Sequence, residues 1–167
     1  MDIKIRRASV TDAEEVNKCL KLAFKEYERE ACYNAAKGAL SEDVSKTRAD
    51  IENQIFLVAE CAGKIIGSLR VKIEEHDGYL SRFSVLPEYH KYGTGSLLLE
   101  QIDKVLQKLG INSVYLHTCL DVVHLIDFYT NAGFRVECVS EDRGYRRAKL
   151  RKTYGEEHEK WRTWKTK

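Results

Sequence analysis

A chain of 167 residues is the size of one domain, large enough for a proper core and too short for two comfortable ones. Its 43% hydrophobic and 32% charged residues are an ordinary globular balance without repeat, linker or low-complexity segment, and its five scattered cysteines, never in a C-x-x-C pair, exclude a zinc framework and read as reduced thiols. The formal charge of +2 is split into a net +7 over residues 143–167 and −5 over residues 1–142; no apolar run could span a bilayer, and the opening MDIKIRRASVTD has no signal-like core, so the cytoplasm is the expected compartment.

In chain order, Ile3 and Ile5 alternate with charge in a short first strand. Thr11, Asp12, Ala13 and Glu14 read as a capping box, opening a helix whose buried face carries Val16, Leu20, Ala23, Phe24 and Tyr27. Residues 31–40 fit a helical turn or a loop, and Ser41 can cap a further helix carrying Val44 and Ile51. Residues 55–59 and 64–73 are two strands joined by a turn at Ala62 and Gly63. Asp77 and Gly78 read as a second turn. The next strand carries Leu80, Phe83 and Val85 and stops at Pro87, which cannot donate to a ladder. After Gly93 and Gly95 comes a helix with Leu98, Ile102, Val105 and Leu109 at helical spacing, ending at Gly110. Residues 113–118 are a strand, Asp121 caps a helix that Gly133 ends, and residues 134–139 and 143–153 pair around Glu141 and Asp142.

This pattern predicts a mixed α/β sheet, mostly antiparallel, with a central parallel βαβ step from the Leu80 strand through the Gly95 helix to the Val114 strand. The domain is expected to fill residues 1–155. Residues 156–167 then form a basic, aromatic tail, in which Trp161 and Trp164 suggest a one-turn helix docking on its own domain or on a second subunit.

The stretch YLSRFSVLPEYHKYGTG, residues 79–95, organises the rest. A helix that begins at its glycines turns free N–H groups and the positive end of its dipole back on them, a cradle for a phosphate or pyrophosphate. The same glycine pair also suits a plain tight connection. A Walker A loop would need a lysine that Gly93-Thr94-Gly95-Ser96 lacks, and a dinucleotide fingerprint would need a third glycine where Leu98 stands.

The run from Val85 through Pro87 and His90 to Gly93 and Gly95 resembles motif A of the GNAT superfamily of N-acetyltransferases, V-x-P-x-x-[Q/R]-x-x-G-x-[G/A], departing at His90, where Gln or Arg is usual. Phe128-Tyr129-Thr130-Asn131-Ala132-Gly133-Phe134 is similar to the family's F-Y-x-x-x-G-F. The resemblance implies the GNAT fold, with two strands splayed apart to admit coenzyme A. It implies transfer of an acetyl group from acetyl-CoA to a primary amine by direct attack in a ternary complex, with no metal. The pyrophosphate would sit on the backbone N–H groups of His90, Lys91, Tyr92, Gly93, Thr94, Gly95 and Ser96, and the pantetheine arm would pair along Phe83, Ser84 and Val85 as an extra strand. The side chains of His90 and Lys91 could also meet phosphate, or stand solvated in the loop.

By the same resemblance Tyr129 protonates the departing thiolate, and a backbone N–H at Ser84 or Val85 could polarise the carbonyl. On the residues alone, Val122, Leu125, Ile126 and Tyr129 are a helical stripe, which usually means burial. Many family members carry a glutamate where this chain has Tyr79; Glu75, His76 and Asp77 nearby could serve as base or form a plain solvated hairpin, and a water relay could serve instead. Val122 replaces an asparagine common at the cofactor, a loss that Asp121 and His124 could offset. Cys119 has no His or acid at a spacing that would make it an acyl-carrying nucleophile.

Residues 29–54 and the last hairpin would shape the acceptor pocket, and no motif there names the amine. Glu26, Glu28 and Glu30 could greet a cationic amine or form a solvated face. Two readings from other classes stay open: a noncatalytic sensor of acyl-CoA using the same cradle, and an RNA-associated protein using the basic end. A membrane partner is not expected, nucleic acid is disfavoured, and a homodimer is open.

Overall fold

A computed structural model describes residues 1–155 of the chain. The tail expected at residues 156–167, with Trp161 and Trp164, lies outside the described residues. The elements run β1 (Ile3–Arg7), α1 (Ala13–Glu30), α2 (Tyr33–Leu40), α3 (Val44–Asn53), β2 (Ile55–Cys61), β3 (Lys64–Glu74), β4 (Asp77–Val85), α4 (Thr94–Lys108), β5 (Ser113–Cys119), α5 (Val123–Asn131), β6 (Arg135–Ser140) and β7 (Arg147–Thr153). They build one seven-stranded sheet in the order β1-β2-β3-β4-β5-β7-β6. Every neighbouring pair is antiparallel except β4 with β5, which α4 joins as a parallel crossover. The mixed α/β sheet with a central βαβ step is therefore present.

Strand alternation in β3 assigns the helices to faces. A Cβ on Gly67 would meet Leu98 of α4 at 3.3 Å, whereas Arg70 reaches Glu42 and Asp50 on the α1–α3 side. Leu98, Ile102 and Leu106 of α4 are fully buried against the first face, with Leu69, Val71 and Leu80 of the sheet. Leu109, at the end of the expected stripe, is exposed, and Leu99 is buried instead.

The second face carries a buried ionic cluster that no sequence pattern announces. Arg70 donates from Nη1 to Glu42 at 2.8 Å and to Asp50 at 2.5 Å, and Arg82 donates from Nε to Glu42 at 3.0 Å. Burial alone would raise the Glu42 pKa, but Arg70 and Arg82 outweigh it and hold the carboxyl below its ordinary value. Asn17 of α1 completes the cluster by donating to the Glu42 carbonyl and to Thr47.

Four local expectations are corrected. The capping box is Ser9 with Asp12, around a short 3-10 turn at Val10–Asp12, because Asp12 is also gripped by Arg6 at 2.8 Å. Asp43, not Ser41, caps α3 by accepting the Lys46 N–H, while Ser41 donates back to Lys37 and closes α2. The turn before β4 falls at Glu75 and His76, with Glu75 at φ +56°. Gly78 is in the strand, where a Cβ would strike Val71 at 2.8 Å. Asp121 does not cap α5; it accepts from Arg146 at 3.0 Å, and Val122 stands at the N-cap without a side-chain bond.

Candidate functional site

β4 and β5 pair only at Asp77, Gly78 and Tyr79, opposite Ser113, Val114 and Tyr115. Beyond Tyr79 they diverge, and a bulge in β4 marks the departure. Register with β3 passes from Ser81 opposite Arg70 to Ser84 opposite Ser68, so Arg82 and Phe83 share one partner position. Arg82 takes the strained φ of +50°, tethered through Nε to the buried Glu42. The gap between the strands opens into a cavity of about 860 Å³ whose walls come from β4, β5, α1, α2, the start of α4, α5 and the β6–β7 loop.

Backbone direction along the β4 edge follows from one bond. Leu86 donates its N–H to Ile66 on β3 at 2.8 Å, so strand alternation turns Ser84 toward β3 and Val85 toward the gap. The Val85 carbonyl is met there by His90 Nε2 at 2.8 Å. The Ser84 hydroxyl lies 3.2 Å from that of Ser68 on the buried face. Of the two N–H groups expected near the thioester carbonyl, Val85's points into the gap.

A 3-10 turn at Pro87–Tyr92 then leads to Gly93 at φ +73°, the N-cap of α4. Glycine adopts this conformation at no steric cost, and it offers no side-chain cap, which leaves the first-turn N–H groups of α4 for a guest. Thr94 is buried and ties its hydroxyl to the Tyr89 carbonyl at 3.1 Å, fixing the loop. Gly95 has a different reason: a Cβ there would meet Phe128 at 3.1 Å and Phe83 at 3.4 Å, so the bare backbone lets α4 settle on that aromatic pair. His90, Gly93, Gly95 and Ser96 line the cavity with Phe83, Ser84 and Val85; Lys91, Tyr92 and Thr94 do not. Lys91 instead lies 5.5 Å from the Tyr92 ring centre, on the exposed side of the loop.

Tyr129 lies in the same cavity wall, 7% exposed, among Phe83, Phe128 and Phe134. Among the described residues its hydroxyl has no hydrogen-bond partner. Burial, with a smaller contribution from Tyr27, raises its pKa well above the usual phenol value. Ala23, Phe24 and Tyr27 of α1, expected in the core, are half-buried and line the cavity instead. Tyr27 accepts the Cys119 N–H at 2.9 Å, satisfying the last donor of β5 where its strand partner has left; burial pushes this phenol up to about 12. Cys119 itself is buried.

Several wall residues were invisible to spacing and motif. His117, on β5, stands edge-on to Tyr79 and Tyr115, and burial, then the charges of Arg147, Lys149 and Arg143, lower its pKa to about 4. Arg147 and Tyr145 enter from the β6–β7 loop and the start of β7, and Arg82 from the bulge. Tyr79 lines the wall stacked on Tyr115 at 5.0 Å, whereas Glu75, His76 and Asp77 lie outside the cavity. Glu26 and Glu30 line the cavity, already paired with Arg29 and His124, and Glu28 does not. Asp121 stays away from the wall and His124 is part of it.

The model of the Acetyltransferase (GNAT) family matches residues 17–134. Two curated relatives from Bacillus subtilis (strain 168), the second of them YyaT, match at 30% and 27% identity over 42% of this chain, and the chain spans 46% of their own length. The spermidine N(1)-acetyltransferase of Thermoplasma acidophilum is 26% identical over 82% of this chain and 91% of its own. The crystal structure of the PaiA N-acetyltransferase from Thermoplasma acidophilum superposes with a TM-score of 0.79 at 24% identity, covering 92% of this chain and 100% of that one. YncA from Salmonella typhimurium superposes at 0.75 with 16% identity, covering 93% and 96%. With a family match across most of its length, the chain belongs to the GNAT family of acetyltransferases.

Proposed function

We propose that this protein transfers an acetyl group from acetyl-CoA to a primary amine by direct attack in a ternary complex. One observation carries the reading: the unpaired Val85 edge of β4 leads straight into an uncapped glycine-started helix, with the partnerless Tyr129 hydroxyl in the same wall. The PaiA structure is a complex with coenzyme A and the YncA structure is of that protein with acetyl-CoA, which supports acetyl-CoA as cosubstrate here. A relative named for spermidine acetylation supports an amine acceptor.

The first turn of α4, from Gly93 to Ser96, would receive the diphosphate on its N–H groups. The open edge at Phe83 and Val85 would pair with the extended pantetheine arm. Val85 N–H would polarise the acetyl carbonyl. As the amine nitrogen bonds to that carbon and the C–S bond breaks, Tyr129 would hand its phenolic proton to the departing sulfur. Burial keeps Tyr129 protonated as a phenol, and the same dry wall would desolvate the departing thiolate beside it and raise that sulfur's proton affinity. Positive charges that help keep His117 neutral also disfavour an ammonium beside it, so the amine would attack as the neutral base; the proton it sheds on becoming an amide would leave through water, and water would return a proton to Tyr129.

The test is thiol release from acetyl-CoA across an amine panel, with calorimetry of coenzyme A binding on the folded protein. Transfer requires both heat and amine-dependent thiol. An absence of heat at millimolar coenzyme A would sink the assignment.

A further inference from the structure

We propose that the acceptor amine also carries an anionic group, a carboxylate or a phosphate ester, held by Arg147 with help from Arg82 and Arg143. The proposal rests on the acyl-transfer reading above and names the class of molecule that the far end of the cavity takes.

Arg147 opens β7 beside Cys119, where the β4–β5 gap is widening. Alternation along β7 puts Ala148 and Leu150 in the core and sends Arg147, Lys149 and Arg151 to the other face. Lys149 and Arg151 are neutralised there, both by Glu137 and Arg151 also by Asp77, and both lie over the Tyr115 ring. Arg146 and Lys152, the remaining cations of the strand region, pair with Asp121 and Asp103. Arg147 is half-buried in the cavity wall and, among the described residues, has no carboxylate partner.

The rest of the wall has the same imbalance. Its carboxylates are Glu26, Glu30 and Asp142, and the two glutamates are engaged by Arg29 and His124. Its cations are Lys37, Arg82, Arg143 and Arg147. Arg82 spends only Nε on Glu42, so both terminal nitrogens remain for a ligand. A guanidinium with its planar donor edge free matches a carboxylate or phosphate better than water does. A polycationic acceptor would bring further positive charge to a wall where Asp142 is the one carboxylate without a partner among the described residues. Tyr79 and His117 line the same cavity with their rings edge-on at 5.9 Å, an aromatic patch suited to the carbon skeleton between amine and anion.

The experiment compares kcat/KM for matched acceptors with acetyl-CoA: amino acids against their amides, phosphoethanolamine against ethanolamine, and spermidine as the cationic arm. The anionic member of at least one series is expected to be favoured by about tenfold or more, the equivalent of one charge-assisted hydrogen bond; which series shows it separates carboxylate from phosphate. Arg147→Ala should collapse that preference to within about threefold and Arg147→Lys should restore part of it, with melting curves confirming that both variants fold. Equal or better use of the neutral amines or of spermidine overturns the proposal while leaving acyl transfer standing. Failure of every acceptor to release thiol overturns the transfer reading, and this proposal falls with it.

Discussion

A phenol that burial keeps protonated sits at the centre of the proposed chemistry. Tyr129 has no partner for its hydroxyl among the described residues, and its ring is held on three sides by Phe83, Phe128 and Phe134. Tyr129→Phe should therefore fold normally and bind coenzyme A as before while kcat drops on the order of 10²-fold, the usual worth of one proton donor. Unchanged turnover would make Tyr129 a packing residue. His117 provides a pH reading. Its ordinary pKa of 6.5 falls to about 4 in the fold, so the unfolded chain takes up a proton that the folded chain refuses. Its contribution to stability is complete above pH 6.5 and is lost as pH falls from 6.5 through about 4. NMR should show the His117 ring not titrating between pH 8 and pH 5, and His117→Gln should flatten the fall in melting temperature over the upper part of that window. Tyr129 was legible because a motif surrounds it. His117 and Arg147 were not, since single charged or polar residues alternating along a strand look the same whether they face water or a cavity.

At the scale of elements, the strand–turn–helix from β4 to α4 was readable because Pro87 and Gly93 each leave one backbone option. Caps were less so. Ser9, Thr11, Asp12 and Glu14 overlap as two candidate boxes, and only the distant Arg6, bonded to Asp12, decides between them. The bulge was hidden for a similar reason: its anchor is Glu42, forty positions before Arg82 in the chain. That anchor links acceptor-side backbone to the buried cluster. Removing Arg70 would leave Glu42 and Asp50 as buried carboxylates short of a partner, a loss that costs about 3–5 kcal/mol when one side of a buried pair is deleted. Arg70→Ala should lose stability of that order in urea titrations. It should also raise KM for the amine, because Arg82 and the bulge depend on a Glu42 that Arg70 holds in place. A variant that loses stability but keeps its amine KM would separate the cluster from the site.

For the whole molecule, one parallel step in an otherwise antiparallel sheet creates the gap, and Val85, Tyr129, Arg82, Arg143 and Arg147, the groups proposed for transfer and acceptor binding, border the cavity it opens. No described helix is long and apolar enough to cross a membrane. We propose residues 1–155 as the acyltransferase domain and residues 156–167 as a separate tail. The described chain closes on itself at Tyr154, whose N–H donates to the Asn112 carbonyl at 2.8 Å and whose hydroxyl donates to Asp103 at 2.5 Å. Lys152 reaches the other oxygen of Asp103, so α4 and the end of β7 share one carboxylate. A chain ending at Gly155 keeps all of these bonds and should melt within about 2 °C of the full chain. A chain ending at Thr153 loses both Tyr154 hydrogen bonds, worth about 0.5–1.5 kcal/mol each, and should melt several degrees lower, given about 2–4 °C per kcal/mol at this size. Sedimentation of the same two chains tests the tail's expected role. If Trp161 and Trp164 dock on a second copy, the full chain sediments as a dimer and the chain ending at Gly155 as a monomer; equal sedimentation of the two would remove the tail from any subunit interface.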